Sequence, residues 1–350
     1  MNRREFVATW PALLAARSLF AATGAAQARI GLCTFSCHQH WKAVTAKNPG
    51  VKFSDTESFC RYARGLGAEG VQTPLRSKDP AAARRLRDLV EREGGYYEGE
   101  MRLPKTEGDL PSFEADVRLA REAGAKVARA VFTGGRRYEI FQSLGEFKRF
   151  HAEARRSLAL AEPILARHRL KIAIENHKDH TADELAGLMR DVRSEWIGVL
   201  VDTGNNLALL DDPHAAIETL APHAFSVHLK DMAVQPYAQG FLLSEVPLGT
   251  GLLDLPRVIA ALRRANPGIV FNLEMATRDP LEVPCLTDRF WATFPERKSS
   301  HLAAALERVK TNPPRQPPPH VTGKSVATVL AEEEANNRHD LGWMQRTFRS

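Results

Sequence analysis

The sequence predicts an α/β protein built as a (β/α)8 barrel, a TIM barrel, with a C-terminal extension. Three observations predict it. Strand-like and helix-like segments alternate along the chain. The strand-like runs are apolar almost throughout, as expected where helices cover both faces of a parallel sheet. Four successive runs in the second half each carry a polar group near the C-terminal end: Glu175 in IAIENH, Asp202 in VLVDTGNN, His228 in FSVHLKD and Glu274 in VFNLEM. In a parallel barrel the strand C-termini converge on one mouth, so four such groups could meet.

The elements follow in order. Arg29–Ser36 is the first strand, and Asp55–Leu66 a helix capped by Ser54 or Asp55. Gly70–Thr73 is a short second strand. Asp79 and Pro80 open a helix to about Glu93, the aspartate as cap and the proline in the first turn. Tyr96–Leu103 is the third strand, Ser112–Ala123 a helix ended by Gly124, and Lys126–Phe132 the fourth strand. A long amphipathic helix runs from Leu144 to His168. Leu170–Glu175, Ile197–Asp202, Ala224–Leu229 and Ile269–Met275 are strands five to eight. Between them lie a helix at Ala182–Val192 behind Thr181, another opened by Asp212 and Pro213, and a third at Pro256–Ala265. A long loop from about Met232 to Gly251 precedes the third. His301–Val309 reads as the last barrel helix. Pro313–Pro319 (PPRQPPP) cannot be regular helix and reads as an extended connector. Val326–Ala335 is helical again, with Ser325 as a cap. The barrel is therefore expected over residues 29–312. A connector and helical tail occupy 313–350, packing on the barrel or on a partner chain in a homo-oligomer.

The chain has 350 residues, 43% hydrophobic and 26% charged, which is ordinary for a soluble globular protein. Its net charge of +6 comes from basic residues scattered along helical stretches, with no long basic run. That describes a solvated basic surface, and no nucleic-acid partner is expected. Residues 1–28 carry the marks of a twin-arginine-type export signal: Arg3 and Arg4, an apolar Ala-rich stretch, and Ala26-Gln27-Ala28 as a small-residue cleavage pattern. A periplasmic or exported protein with no membrane span after processing is expected, the stretch being short and interrupted by Arg17. Removing Arg3, Arg4, Arg17 and Glu5 lowers the net charge from +6 by 2. Cys33, Cys37, Cys60 and Cys285 make no disulfide framework. On an extended strand Cys33 and Cys37 would sit about 13 Å apart, too far to bridge. Cys33, Cys37, His38 and His40 only faintly resemble a zinc site, and a buried strand cysteine beside a loop is the simpler reading.

The four strand-end groups are separated by 27, 26 and 46 residues, from 175 to 202, 202 to 228 and 228 to 274. The first two intervals match one strand–helix repeat, and the third adds the extra loop. The four thus lie on consecutive strands, five to eight. Three buried carboxylates at one mouth are costly without a compensating cation, and three carboxylates with one imidazole suit a single divalent ion. The oxygen and nitrogen donors are compatible with Mn, Mg, Co or Zn and exclude a thiolate-rich centre.

Glu-Asn-His, Asp-Thr-Gly-Asn, His-x-Lys-Asp and the final strand-end glutamate together resemble the xylose-isomerase-like sugar isomerase/epimerase superfamily, over about residues 29–310. The resemblance implies that Glu175, Asp202, His228 and Glu274 hold the metal. It implies a small-molecule sugar or sugar derivative as partner. A proton is then taken from the carbon next to a metal-bound carbonyl, through an enediolate. Glu175 and Glu274 are the implied acid/base pair. A lyase or dehydratase acting on a keto-inositol or 3-keto-glycoside would use the same metal and the same first step. A periplasmic sugar-binding module that keeps the metal for structure is a non-enzymatic alternative. The related endonuclease class for abasic DNA needs more metal ligands from the early strands than this sequence offers.

Several neighbours are candidates for touching substrate. Residues two apart on a strand share a face, so His177 follows Glu175 and Lys230 follows His228 toward the mouth. His177 is placed to bind a hydroxyl and Lys230 to neutralise an enediolate or pair with a carboxylate. Asn205 either orients a ligand or caps a turn, and Asn272, two before Glu274, lies behind the ligands. Glu98, Glu100 and Arg102 share one face of strand three; Glu100 and Arg102 could reach substrate, or the three could form a charged interior layer. Trp41, after strand one, could stack on a sugar ring. Gly249-Thr250-Gly251 lacks the rest of any phosphate motif and reads as a flexible loop.

Overall fold

The structure, a computed structural model, describes residues 28–294 and 299–349. The export signal expected in residues 1–28 lies, but for Ala28, outside them. Eight parallel strands close into a barrel: β1 (Arg29–Cys33), β2 (Gly70–Gln72), β3 (Tyr96–Glu100), β4 (Val127–Ala130), β5 (Lys171–Glu175), β6 (Ile197–Asp202), β7 (Ala224–Leu229) and, after two further strands, the eighth barrel strand (Val270–Leu273). The two further strands are β8 (Asp231–Tyr237) and β9 (Gly240–Val246), which makes the eighth barrel strand β10. β8 and β9 form an antiparallel hairpin, extended by β11 (Leu281–Val283) into a three-stranded sheet beside the barrel. The expected loop from Met232 to Gly251 is therefore mostly sheet. Its runs alternate apolar and polar poorly, and no Asn-Gly or Asp-Gly turn marks the hairpin.

The helices are α1 (His38–Thr45), α2 (Thr56–Gly65), α3 (Pro80–Arg92), α4 (Leu110–Glu122), α5 (Arg137–Ile140), α6 (Leu144–His168), α7 (Ala182–Val192), α8 (Pro213–Leu220), α9 (Leu255–Ala265), α10 (Asp288–Trp291), α11 (Ser299–Thr311) and α12 (Val326–Arg349). Caps set several starts. The carboxylate of Asp55 accepts from Ser58 N, that of Asp79 from Ala81 N, and that of Asp212 from His214 N and Ala215 N. None of the described helices is long and apolar enough to cross a membrane.

The C-terminal extension corrects one expectation. α11, expected to be the last barrel helix, packs on β8 and β9 of the hairpin. It is α12 that lies against β1 and β10, with the ring of Phe348 4.9 Å from that of Phe271. α12 is longer than expected and reaches Arg349. Its buried face is mixed: Leu341, Met344 and Phe348 cover the barrel, while Glu333, Asn337 and Asp340 are also fully buried. Each of the three polar groups meets the end of another element. The Glu333 carboxylate accepts from Gln39 N, His40 N and the His40 ring. Asn337 donates to Ser36 O, and Asp340 accepts from Leu248 N. Buried polar contacts of this kind hold a register that an apolar stripe would leave loose.

Inside the barrel the strands present polar layers. In the lower layer the Glu98 carboxylate accepts from Gln72 Nε2 at 2.8 Å, Ser226 Oγ at 2.7 Å and Asn272 Nδ2 at 2.9 Å. Below it the Tyr96 hydroxyl donates to Asn272 Oδ1, passing over Gly31, where a Cβ would lie 2.1 Å from the tyrosine oxygen. Only glycine admits that crossing. Apolar residues thus cover the outside of the strands, while the upper part of the barrel interior is charged and hydrogen-bonded.

Candidate metal centre and active site

Glu175 ends β5, Asp202 ends β6, His228 is the penultimate residue of β7, and Glu274 directly follows β10. Their side chains meet. One ligand atom from each lies within 4.8 Å of the others, and all four residues are buried. His228 Nδ1 contacts Glu274 and lies 3.8 Å from Glu175 Oε2 and 3.9 Å from Asp202 Oδ2.

These residues suit a divalent ion. His228 Nδ1 and Asp202 Oδ2 are buried and lack a hydrogen bond of acceptable angle. Charged neighbours are close all the same, Glu274 to the first and Lys230, at 2.7 Å, to the second. The distances describe ion pairs, and the two atoms lie 3.9 Å apart within the cluster. The other atom of each group is committed elsewhere. Asp202 Oδ1 accepts from Gly204 N and Asn205 N, both at 2.9 Å. His228 Nε2 lies 2.6 Å from Gln72 Oε1.

Electrostatics keep the carboxylates of this site apart. Burial would raise Glu175, but Arg129 above all, then His228, hold it at about 2. Burial also opposes ionisation of Glu274, and Lys230 and His228 hold it well below the usual range. Asp202 is pushed up by burial, which outweighs Lys230. His228 would be lowered by burial, yet Glu274 and then Glu175 raise it. Lys230 is fully buried, 2.7 Å from both Asp202 and Glu274, and stays protonated because those carboxylates outweigh the loss of water.

A cavity of about 310 Å³, partly open to solvent, lies above the cluster. Of the four clustered groups, Glu175 and Glu274 line it. Phe35, Arg129, His177, Lys178 and Arg278 also line it. His177 faces it as expected, with Nδ1 buried and unpartnered, and burial first of all holds its ring at about 4. Asn205 holds the Glu175 carboxylate: its Nδ2 donates to Glu175 Oε1 at 3.0 Å. Lys230 binds carboxylates and does not line the cavity. Glu100 meets Arg129, whose Nη1 is 3.3 Å from Glu100 Oε2 while its Nε donates to Glu175.

Two expected residues are elsewhere. Arg102 is exposed beyond the end of β3 and does not line the cavity. Trp41 is buried in α1 against Phe53 and Phe59, with the Arg76 guanidinium 3.5 Å from its ring centre. The segment after β1 turns at once into helix, which carries the indole inward to the β1–α2 packing. Glu98 belongs to the interior layer. Among the described residues no group gathers Cys33, Cys37, His38 and His40; all four cysteines are free and buried, and Cys33 Sγ lies 3.8 Å from Glu274 Oε2. The amides of the glycine loop do converge on an anion, but it is the chain's own Asp231, which accepts from Gly249 N, Gly251 N and Leu253 N.

Sequence reasoning does not single out Gln72, Arg129, Lys178, Glu245 or Arg278. Arg129 had a signal, an arginine within the strand VARA. Glu245 and Arg278 meet only because the hairpin folds back over the mouth, where both oxygens of Glu245 accept from Arg278.

Residues 60–291 match the xylose isomerase-like TIM barrel family. The chain belongs to this family. Part of it, 113 residues or 32% of the chain, is 29% identical to 3-oxo-isoapionate decarboxylase of Pectobacterium atrosepticum and spans 41% of that protein's length. Among solved structures, an L-ribulose 3-epimerase superposes with a TM-score of 0.54 at 15% identity, covering 92% of this chain and 96% of that one. A xylose isomerase-like barrel of Mycobacterium smegmatis, in complex with magnesium, gives 0.52 at 15% identity, covering 81% and 99%. At such identities the superpositions establish the barrel alone.

Proposed function

We propose that this family member is a metal-dependent sugar isomerase or epimerase in which Glu175 and Glu274 move the proton. One observation carries the reading. Of the four clustered groups, these two carboxylates face both the ion site and the cavity. A magnesium-bound barrel and sugar epimerases among the structural neighbours support it. The bound ion would polarise a substrate carbonyl and lower the cost of the enediolate formed beside it.

The chain's own residues do the rest. Glu175, held by Arg129 and Asn205, takes or returns a proton on one side of the bound sugar, and Glu274, held by Lys230, acts on the other. Both carboxylates are ionised at neutral pH, so either can act as base first. Their basicity is low, and the rate depends on short contact with the C–H in a site that excludes water. His177 is placed to hold a hydroxyl. The test is solvent deuterium in a substrate carbon, followed by NMR across keto- and aldo-sugars with the metal-loaded protein. Absence of exchange with every sugar leaves binding alone.

The decarboxylase relative favours a second reading, a lyase. Loss of carbon dioxide, or of a β-leaving group, from a 3-keto substrate passes through the same enediolate. Release of carbon dioxide or of the β-leaving group separates the two, since the enediolate left by decarboxylation also takes up a solvent proton and deuterium uptake alone does not. We also propose that residues 1–28 direct export to the periplasm; an exported protein whose mass begins at Arg29 is the expected result, and one retaining Met1 or Asn2 excludes cleavage there.

A further inference from the structure

We propose that the substrate carries a carboxylate received by Lys178, so that the cavity selects an acidic keto-sugar over its neutral counterpart. The proposal uses the isomerase reading only for where the substrate sits.

The charges around the cavity pair off, with one exception. Arg129 is held by Glu175 and Glu100. Lys230 lies between Asp202 and Glu274. Arg278 grips Glu245 with two nitrogens, and Arg136 pairs with Glu139. Lys178 is different. Its ammonium donates to the neutral amide oxygen of Asn205, and among the described residues no carboxylate lies within ion-pair distance of it. Yet Lys178 is 4% exposed and lines the cavity. A buried ammonium without an anion is costly.

A metal ion does not relieve this cost. Three ligand carboxylates, one divalent ion and the Lys230 ammonium sum to neutrality, and Lys178 remains in excess.

The backbone holds Lys178 in place. Its φ is 51°, in the left-handed region that costs a lysine about 1–2 kcal/mol. Arg137 N donates to Lys178 O at 2.9 Å and secures that turn. The conformation breaks the strand direction after His177 and sends the side chain across to Asn205. Asn205 in turn holds Glu175, so one amide links the ammonium to a proposed proton acceptor. The unpartnered Nδ1 of His177 lies next to it in sequence and lines the same cavity. One ammonium with one further donor matches a singly charged carboxylate.

The test compares probes that differ in one group. 5-Keto-D-gluconate and L-sorbose differ only in a carboxylate against a hydroxymethyl. Their binding to the metal-loaded protein is measured by calorimetry, with D-fructose 6-phosphate as a third probe. The acid is expected to bind about 10- to 100-fold tighter than L-sorbose, the gain of one charge-assisted hydrogen bond. Lys178→Met should abolish that preference, read as the ratio of acid to L-sorbose affinity in protein whose metal content is measured; Lys178→Arg should restore part of it. Equal binding of acid and neutral probe, binding of neither, tighter binding of the phosphate, or a preference that survives in Lys178→Met overturns the proposal. If Lys178→Met loses metal or fails to fold, the wild-type ratio and Lys178→Arg still decide. Solvent-deuterium exchange is read in the same samples. Acid preference without exchange removes the isomerase reading and leaves the substrate class. Exchange with a preference for the neutral sugar does the reverse.

Discussion

His228 Nε2 and Gln72 Oε1 lie 2.6 Å apart, and this contact sets which imidazole nitrogen faces the cluster. The Gln72 amide cannot be turned round. Its Nε2 donates to the Glu98 carboxylate at 2.8 Å, so its oxygen must face His228. The oxygen only accepts, so Nε2 of the imidazole carries the proton. In the neutral ring, Nδ1 then presents its lone pair to Glu175, Asp202 and Glu274. A relay runs from Glu98 through Gln72 to the imidazole whose other nitrogen faces the cluster.

Gln72→Leu cuts this relay with little change of volume. We expect the affinity for Mn or Zn to fall about 10- to 100-fold, the usual effect of removing a hydrogen-bond partner behind a ligand. Competition against a chromophoric chelator measures it. An unchanged affinity would mean that the Gln72 contact does not fix the tautomer.

Lys230 supplies positive charge inside the cluster. It is fully buried and 2.7 Å from two of the three clustered carboxylates. Lys230→Met leaves Asp202 and Glu274 uncompensated, which costs on the order of 3–5 kcal/mol in a buried site. The loss should be greatest in the metal-free protein and smaller with the ion present. Urea denaturation with and without a chelator checks this. Equal losses in both states would show that Lys230 and the ion act independently.

Much of the barrel can be read in the sequence because two physical patterns coincide. Apolar runs bounded by caps such as Asp79-Pro80 and Thr181 locate strands and helices, and repeat length places Glu175, Asp202 and His228 on neighbouring strands. Their convergence follows from barrel closure. Trp41 could not be placed, because whether the chain after β1 runs as loop or helix decides which way the indole points. Arg278 and Glu245 could not be paired either, since a hairpin must fold before they meet. α12 was the hardest. A helix that buries Glu333, Asn337 and Asp340 shows no clean apolar stripe, and the partners of Glu333 and Asn337 lie 294 and 301 positions away.

That helix has a measurable link to the site. Ser36 Oγ donates to Leu273 O and accepts from Met275 N, both at 2.8 Å, so it brackets Glu274. Asn337 holds Ser36 O, and Glu333 holds the amides of Gln39 and His40 at the start of α1. Glu333→Ala orphans those two buried amides and the His40 ring, and should destabilise the fold by about 2–4 kcal/mol, one to three for each group left without a partner less what water recovers. Asn337→Ala should cost less and loosen Glu274. Thermal unfolding measures the first, and metal affinity the second. A Glu333→Ala protein as stable as wild type would show that the apolar contacts of Phe348 and Met344 dock α12 alone.

The Arg278–Glu245 pair gives the clearest pH signature. Glu245 is 1% exposed, and although burial opposes its ionisation, Arg278 first and Lys230 next hold it at about 2, below its ordinary 4.5. A carboxyl depressed in the folded state binds its proton less readily there than when unfolded. The pair's contribution is therefore fully present above pH 4.5 and is lost as pH falls toward 2. Glu98, Glu100 and Asp202 are shifted the other way by burial, so the stability of the wild-type protein alone mixes both signs. The difference between wild type and Arg278→Met isolates the pair. It should amount to a few kcal/mol at neutral pH, as for a broken buried pair, and shrink steadily between pH 4.5 and 2. Denaturant midpoints of the chelated protein across that range measure it. A difference independent of pH would mean that Arg278 stabilises through its packing over the Phe35 ring, 5.5 Å away, and not through the charge on Glu245.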